Sequence, residues 1–217
     1  KLYLFSSLLK RNSTIITDSS IKEFNKIKKI SKKKNITLRT ILDKKSNINL
    51  ISHSYDGEYQ NIKIKYKKKI YNFSLNLIGK TQIKNVFMAI LAAKESKVNF
   101  QKIIKNIHKL KNVNGRFEKV GKLKNNSKII LDYAHTPDAL KTCLIDIKDQ
   151  FDGKKINIVF GCGGDRDKYK RSKMGSIANS YCSKIYLTDD NPRFENPKKI
   201  RKEIKKNITS KKVLEIS

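Results

Sequence analysis

Hydrophobic and polar positions alternate in two different ways along this chain. In the first half, the short apolar run Thr14-Ile15-Ile16-Thr17-Asp18 predicts a strand, and the lysine-rich stretch from about Ile21 to Lys32 predicts a helix. Alternating segments around Leu50, from Ile62 to Tyr66 and from Ile70 to Leu77 predict further strands. Two helices follow. Gln82 to Ser96 carries Ile83, Val86, Phe87, Ile90 and Leu91 at helical spacing, and Phe100 to Leu110 repeats the pattern with Ile103, Ile104 and Ile107. The polar Lys111-Asn112-Val113-Asn114-Gly115 breaks the periodicity, which places a domain boundary there, between residues 1–112 and 113–217.

The second half is more regular. Apolar runs at Ile129-Ile130-Leu131, Ile156 to Phe160, Ile185-Tyr186-Leu187 and Val213 to Ile216 are separated by helical stretches that begin near Pro137, Lys173 and Pro197. Strands alternating with helices of this length predict a parallel sheet with right-handed crossovers, a Rossmann-like layer. The fold class expected is therefore α/β. The last strand ends with the chain and the first methionine is Met88, so the sheet is expected to be unfinished and the chain truncated at both ends.

Charge adds a competing expectation. A formal charge of +31 first suggests a nucleic-acid binder, because a cationic surface gains affinity for phosphate by releasing counterions. Yet only seven residues are arginine, and the lysines are scattered between isoleucines and asparagines, as in Ile27-Lys28-Lys29-Ile30 and Ile62-Lys63-Ile64-Lys65. They read as the solvent faces of ordinary elements. Cys143, Cys162 and Cys182 lack the paired spacing of a zinc site or redox couple, which fits a reduced, cytoplasmic protein. The apolar start, Lys1 to Lys10, is too short to span a bilayer.

Candidate chemistry gathers at one edge of the second half. In an open parallel sheet, ligands bind beyond the carboxyl ends of the strands, where loops and helix amino termini meet. Three unusual segments fall there: Asp132-Tyr133-Ala134-His135-Thr136-Pro137-Asp138, Gly161-Cys162-Gly163-Gly164-Asp165-Arg166-Asp167, and Asp189-Asp190-Asn191-Pro192-Arg193. Each also has a plainer reading. Thr136 and Pro137 suit a helix cap, the glycines suit an ordinary loop, and Asn191-Pro192 suits a β-turn. The ligand reading adds what those omit: a carboxylate and an imidazole three residues apart, glycines where backbone approaches a ligand, Arg166 held between two aspartates, and Arg193, whose planar fork matches a carboxylate, on a stiff turn.

Together with Gly115-Arg116-Phe117-Glu118, Lys170-Arg171 and Met174-Gly175, these segments stand in the order and spacing of the Mur ligases, which the chain resembles closely from about Gly115 to Pro197. Before that the resemblance is looser. Gly79 to Asn85 is similar to a helix start of the family, with Thr81 and Gln82 in place of Phe and Asn, and Ser172 replaces a usual proline.

The resemblance implies the end of a central ATP-binding α/β domain at 1–112, followed by most of the family's carboxy-terminal Rossmann-like domain at 113–217. It implies an ATP- and Mg2+-dependent ligase that joins meso-diaminopimelate to UDP-N-acetylmuramoyl-L-alanyl-D-glutamate through an acyl phosphate, monomeric and cytoplasmic, with no membrane or nucleic-acid partner. Residue by residue, it implies that Asn85, Arg116 and Asp132 bind ATP and that His135 is catalytic beside the nucleotide. Arg166, Asp190, Asn191, Pro192 and Arg193 would hold the diamino acid, and Lys1 would stand where the family carbamylates a lysine to bind magnesium. Gly79-Lys80-Thr81 is no phosphate loop, since Ser74 stands five positions before Gly79, so the chain alone is expected to be inactive. The alternatives are another ligase of the superfamily, of the folylpolyglutamate synthase or cyanophycin synthetase type, and a basic nucleic-acid-binding module.

Overall fold

A computed structural model describes residues 2–10, 12–41 and 46–216. The chain divides into two compact units, Lys1–Asn112 and Val113–Ser217.

The first unit is built on a five-stranded mixed sheet in the order β1-β2-β3-β4-β5. Its strands are β1 (Thr14–Asp18), β2 (Thr37–Ile41), β3 (Ile48–Asp56), β4 (Tyr59–Tyr66) and β5 (Lys69–Leu75). β1, β2 and β3 run parallel, and β3, β4 and β5 form an antiparallel meander. Helix α1 (Phe24–Lys33) joins β1 to β2, and α2 (Lys80–Glu95) and α3 (Phe100–Asn106) follow the meander. The pleat of β1 sends Ile15 into a cluster with Ile27 of α1 and sends Ile16 to the opposite face, against the core that contains Phe87, Ile90 and Leu91 of α2. The β2 strand was not anticipated, because Thr37-Leu38-Arg39-Thr40-Ile41 offers only two aliphatic residues for a period to show in.

The lysines take the solvent faces that their spacing predicted. Ile62 and Ile64 are buried while Lys63 and Lys65, alternating with them, are exposed, and Ile27 is buried between exposed Lys26 and Lys28. Gly79, at a φ of 90°, turns the chain into α2 as a strand-to-helix connection. Buried Gln60 fixes that turn: its amide donates to the Leu77 and Gly79 carbonyls at 2.6 and 3.2 Å, and its Oε1 lies 2.9 Å from His53 Nε2.

The second unit opens with a strand that was not anticipated, β6 (Glu118–Lys122), and then follows the predicted alternation: β7 (Lys128–Leu131), α4 (Pro137–Gln150), β8 (Asn157–Phe160), α5 (Tyr169–Tyr181), β9 (Lys184–Leu187), α6 (Pro197–Lys205) and β10 (Val213–Glu215). β8, β9 and β10 form a parallel sheet in the order β10-β9-β8. One expectation is corrected. The β7 strand does not extend this sheet; it pairs antiparallel with β6, an adjacent hairpin partner that needs no crossover.

Ile158, Phe160, Ile185, Leu187 and Val213 share one face and pack with Leu140 and Leu144 of α4, Met174 and Ala178 of α5, and Ile200 and Ile204 of α6. Thr136 caps α4 by accepting from the Ala139 amide, and Pro137 occupies the first turn. The three cysteines are free and buried, and burial pushes the Cys143 thiol up to about 12 and the Cys182 thiol up to about 11. No helix among the described residues is long and apolar enough to cross a membrane.

Helices α5 and α6 approach so closely that a Cβ on Gly175 would lie 2.0 Å from the Ile204 carbonyl oxygen. Gly175→Ala is therefore expected to destabilise the second unit by about 1–3 kcal/mol, read as a lower midpoint in urea; an unchanged midpoint would remove the close approach as a constraint.

Candidate functional site

The loop after β7 begins with Asp132, whose carboxylate accepts from the Phe117 amide at 3.0 Å and from the Ala134 amide at 2.9 Å. That carboxylate thus ties the segment entering β6 to the segment leaving β7, while keeping lone pairs for a further donor. Phe117 itself sits at a φ of 47° and is buried. Its neighbour Arg116 lays its guanidinium over the Tyr133 ring, 4.7 Å from the centroid, and Tyr133 meets the His135 ring edge-on at 5.1 Å. Nδ1 of His135 lies 3.1 Å from the Tyr133 carbonyl, which turns the imidazole back over its own loop. Arg116, Asp132 and His135 are therefore neighbours, as the sequence led one to expect. Together they present a cation, an acceptor and an exposed aromatic surface.

The loops after β8 and β9 are joined into one body. The Gly164 amide donates to the Asn191 carbonyl at 3.0 Å, and Arg193 Nη1 donates back to the Gly164 carbonyl at 2.6 Å. The Phe194 amide reaches Asp165 Oδ2 at 3.3 Å, and the Asp165 amide reaches Glu195 Oε1 at 2.7 Å.

This contact explains the glycines differently from the expectation. None of Gly161, Gly163 and Gly164 has a positive φ, and the backbone that each approaches belongs to the neighbouring loop. A Cβ on Gly161 would lie 2.4 Å from the Thr188 carbonyl oxygen, and one on Gly164 would lie 1.8 Å from that of Pro192. The positive φ falls on Arg193 itself, at 50°, and on Asp165, at 49°.

Arg193 is an exposed residue at this edge, with Nη1 of its guanidinium committed to the Gly164 carbonyl. Asp190 turns one oxygen to the Asn191 amide at 2.9 Å, and Asn191 and Pro192 complete the turn. Arg166 is exposed on the β8 loop, but the expectation that its flanking aspartates hold it is corrected. Asp165 accepts from Phe194, and Asp167 accepts from the Tyr169 amide at 2.9 Å, so both carboxylates satisfy backbone groups instead. Asn85 belongs to the first unit, where its amide donates to Gln82 Oε1 at 3.0 Å. Lys1 lies outside the described residues. Among the described residues no cluster of three or more His, Cys, Asp or Glu could hold a metal ion.

Two buried arginines were given no role in the sequence. Arg171, at the start of α5, has no solvent exposure. Its Nη2 donates to Glu195 Oε1 at 2.8 Å and to the Gly163 carbonyl at 3.3 Å, and its Nη1 reaches Glu195 Oε2 at 3.0 Å and Glu203 Oε2 at 2.7 Å. Only its Nε–H lacks an acceptor among the described residues. Arg201 of α6 pairs with Asp189 and, at 3.3 Å, with Glu215 of β10, which anchors the root of the β9 loop. The available signal was compositional. Where nearly every basic residue is lysine, an arginine marks a place that needs a planar, multivalent donor.

Residues 115–217 match the family model described as Mur ligase, glutamate ligase domain. The whole chain aligns at 37% identity with the UDP-N-acetylmuramoyl-L-alanyl-D-glutamate--2,6-diaminopimelate ligase of Rickettsia typhi, covering 43% of that relative. The chain thus spans less than half the length of the relative it matches. Among solved structures, a folylpolyglutamate synthase from Thermotoga maritima superposes on 98% of the chain and 49% of its own, at a TM-score of 0.76 and 21% identity. A MurF ligase from the same organism, in complex with ADP, covers 96% of the chain and 45% of its own, at a TM-score of 0.68 and 19% identity. At those identities the structures share the fold, and the strand-end residues must separate the chemistries.

Arg171 first, and then the Asp165 amide, hold the Glu195 carboxyl down to about 2, from an ordinary value of 4.5. A lowered carboxyl contributes stability that is full above its unfolded value and is lost as pH falls through its folded one. The second unit is therefore expected to keep this contribution above about pH 4.5 and to lose it progressively toward pH 2. Urea titrations of the chain and of Glu195→Gln across that range check it: the variant's stability should depend less steeply on pH, and parallel curves would count against the pairing.

Proposed function

We propose, from the match of its second unit to the Mur ligase family and the alignment of the whole chain with a diaminopimelate ligase, that the chain is part of an ATP-dependent amide-bond ligase of peptidoglycan synthesis. The reaction joins meso-diaminopimelate to the D-glutamyl carboxylate of UDP-N-acetylmuramoyl-L-alanyl-D-glutamate. ATP phosphorylates that carboxylate to an acyl phosphate, and the amine, freed of its proton, attacks the carbonyl carbon and displaces phosphate. Such a sequence asks the protein mainly for positioning and charge neutralisation.

In this reading the loop after β7 borders the nucleotide. Asp132 accepts from ribose hydroxyls with the lone pairs left over from its two backbone donors, and Arg116, steered by its stacking on Tyr133, faces the phosphates with His135 beside it. Asn85 is assigned to the nucleotide, and Lys1 to magnesium, by resemblance alone. The Arg193 loop takes the amino acid: Asp190 and Asn191 offer acceptors to its ammonium group, and Arg166 adds positive charge on the adjoining loop. A cytoplasmic, monomeric protein is part of the same proposal.

The observation that carries the proposal is the state of Arg193. Its guanidinium is oriented by one hydrogen bond, from Nη1 to the Gly164 carbonyl, and it belongs to an exposed residue on a turn stitched to a second loop, with N–H donors to spare beyond that bond. Meso-diaminopimelate differs from lysine by one distal carboxylate, which this fork pairs with; lysine would leave the fork unmatched. A folylpolyglutamate synthase shares the fold, but the relative aligned over the full chain is named for the diaminopimelate reaction.

Calorimetric titration of the chain with meso-diaminopimelate, lysine and ATP tests this directly. Arg193→Ala is expected to weaken meso-diaminopimelate by about 10- to 100-fold, the worth of a charge-assisted pair, while ATP changes by about twofold or less. Equal losses for both ligands, or no preference over lysine in the unaltered chain, would sink the assignment.

A further inference from the structure

The second unit contains an ion pair that neither its core nor the proposed reaction accounts for. Arg171 stands on α5, outside the three strand-end segments, yet every acceptor it uses lies in the β8 loop, the β9 loop or α6. Its partner Glu195 is just as divided. One oxygen takes both Arg171 Nη2 and the Asp165 amide, and the other takes Arg171 Nη1, with Lys168 Nζ at 3.6 Å. The carboxylate therefore sits where both loops and α5 meet, two residues beyond Arg193.

The neighbouring Lys170 extends the connection. Its Nζ donates to the His135 carbonyl at 2.9 Å, so adjacent residues of α5 grip all three strand-end loops. A helix packed into the core is a stiff mount, and a bidentate guanidinium–carboxylate pair fixes direction as well as distance.

We propose that Arg171 and Glu195 are positioning residues that set the amino-acid site, holding the β8 loop against the β9 loop so that Arg193 keeps its left-handed backbone and its guanidinium stays on the Gly164 carbonyl. The pair touches no substrate; it acts through Arg193. The inference rests on the reading of Arg193 as the anchor for the distal carboxylate of the amino acid. It adds that the selectivity of that anchor is set from α5.

Glu203 provides the internal control. It also pairs with Arg171, at 2.7 Å, but it lies on α6 and bonds to neither loop in the described contacts. Glu195→Gln and Glu203→Gln each take one charge from the same guanidinium, so a purely structural role for Arg171 predicts similar consequences.

The positioning role predicts a split. In ligand-free chain, amide hydrogen exchange at Gly164, Asp165 and Phe194 should speed up by about tenfold or more in Glu195→Gln and by about twofold or less in Glu203→Gln. Meso-diaminopimelate affinity should fall by about tenfold or more in the first variant only, with ATP affinity held within about twofold in both. Arg171→Lys keeps the charge and loses the fork, and should behave like Glu195→Gln; if lysine restores slow exchange and affinity, charge alone suffices and the proposal fails. Equal exchange rates in the two glutamine variants overturn it as well. The exchange readout needs no ligand, so a clamp that loosens as expected in a chain indifferent to meso-diaminopimelate supports the clamp and defeats the substrate reading.

Discussion

A guanidinium with no access to water, gripped by two carboxylates and a backbone carbonyl, is the constraint on which the candidate site depends. Burying a charge is costly unless its partners satisfy it, and Arg171 is satisfied at every nitrogen but Nε among the described residues. Those partners come from two loops and a neighbouring helix, so the loops cannot separate without exposing the charge or leaving it unpaired. The rim of the sheet is stiff for this reason, even though it is made of loops.

The same constraint gives the glycines their meaning. Gly161 and Gly164 bring two stretches of backbone together at distances that leave no space for a Cβ, and Gly175 does so between two helices. A glycine-rich loop at a strand end suggests a backbone bent around a ligand. Here its backbone lies against the neighbouring loop. Arg193 takes the left-handed backbone that glycine would ordinarily supply, which is a cost that the stitched loops must offset.

The abundance of lysine bears on the surface more than on the site. Lysines occupy the exposed positions of α1 and β4, between isoleucines that face the core. Four of the seven arginines sit where a planar fork is used: Arg116 stacked on Tyr133, Arg171 and Arg201 among carboxylates, and Arg193 on Gly164. The two cations divide the labour by geometry, since lysine's compact charge is well hydrated and tolerates any direction.

The sequence by itself determined most of the order of elements and the edge where the candidate residues gather. Ile83 to Leu91 mark a helix, Ile185 to Leu187 mark a strand, and Thr136-Pro137 mark where α4 begins, because period and capping are local properties that neighbouring residues express together. Only the tertiary structure decided that β7 pairs with β6, that Asp165 and Asp167 serve backbone amides in place of Arg166, and that Arg171 meets Glu195 across 24 positions of sequence. A hydrogen bond has no period. Which acceptor a buried donor finds depends on where the chain returns in space, and that return is fixed by the packing of α5 and α6 onto the sheet.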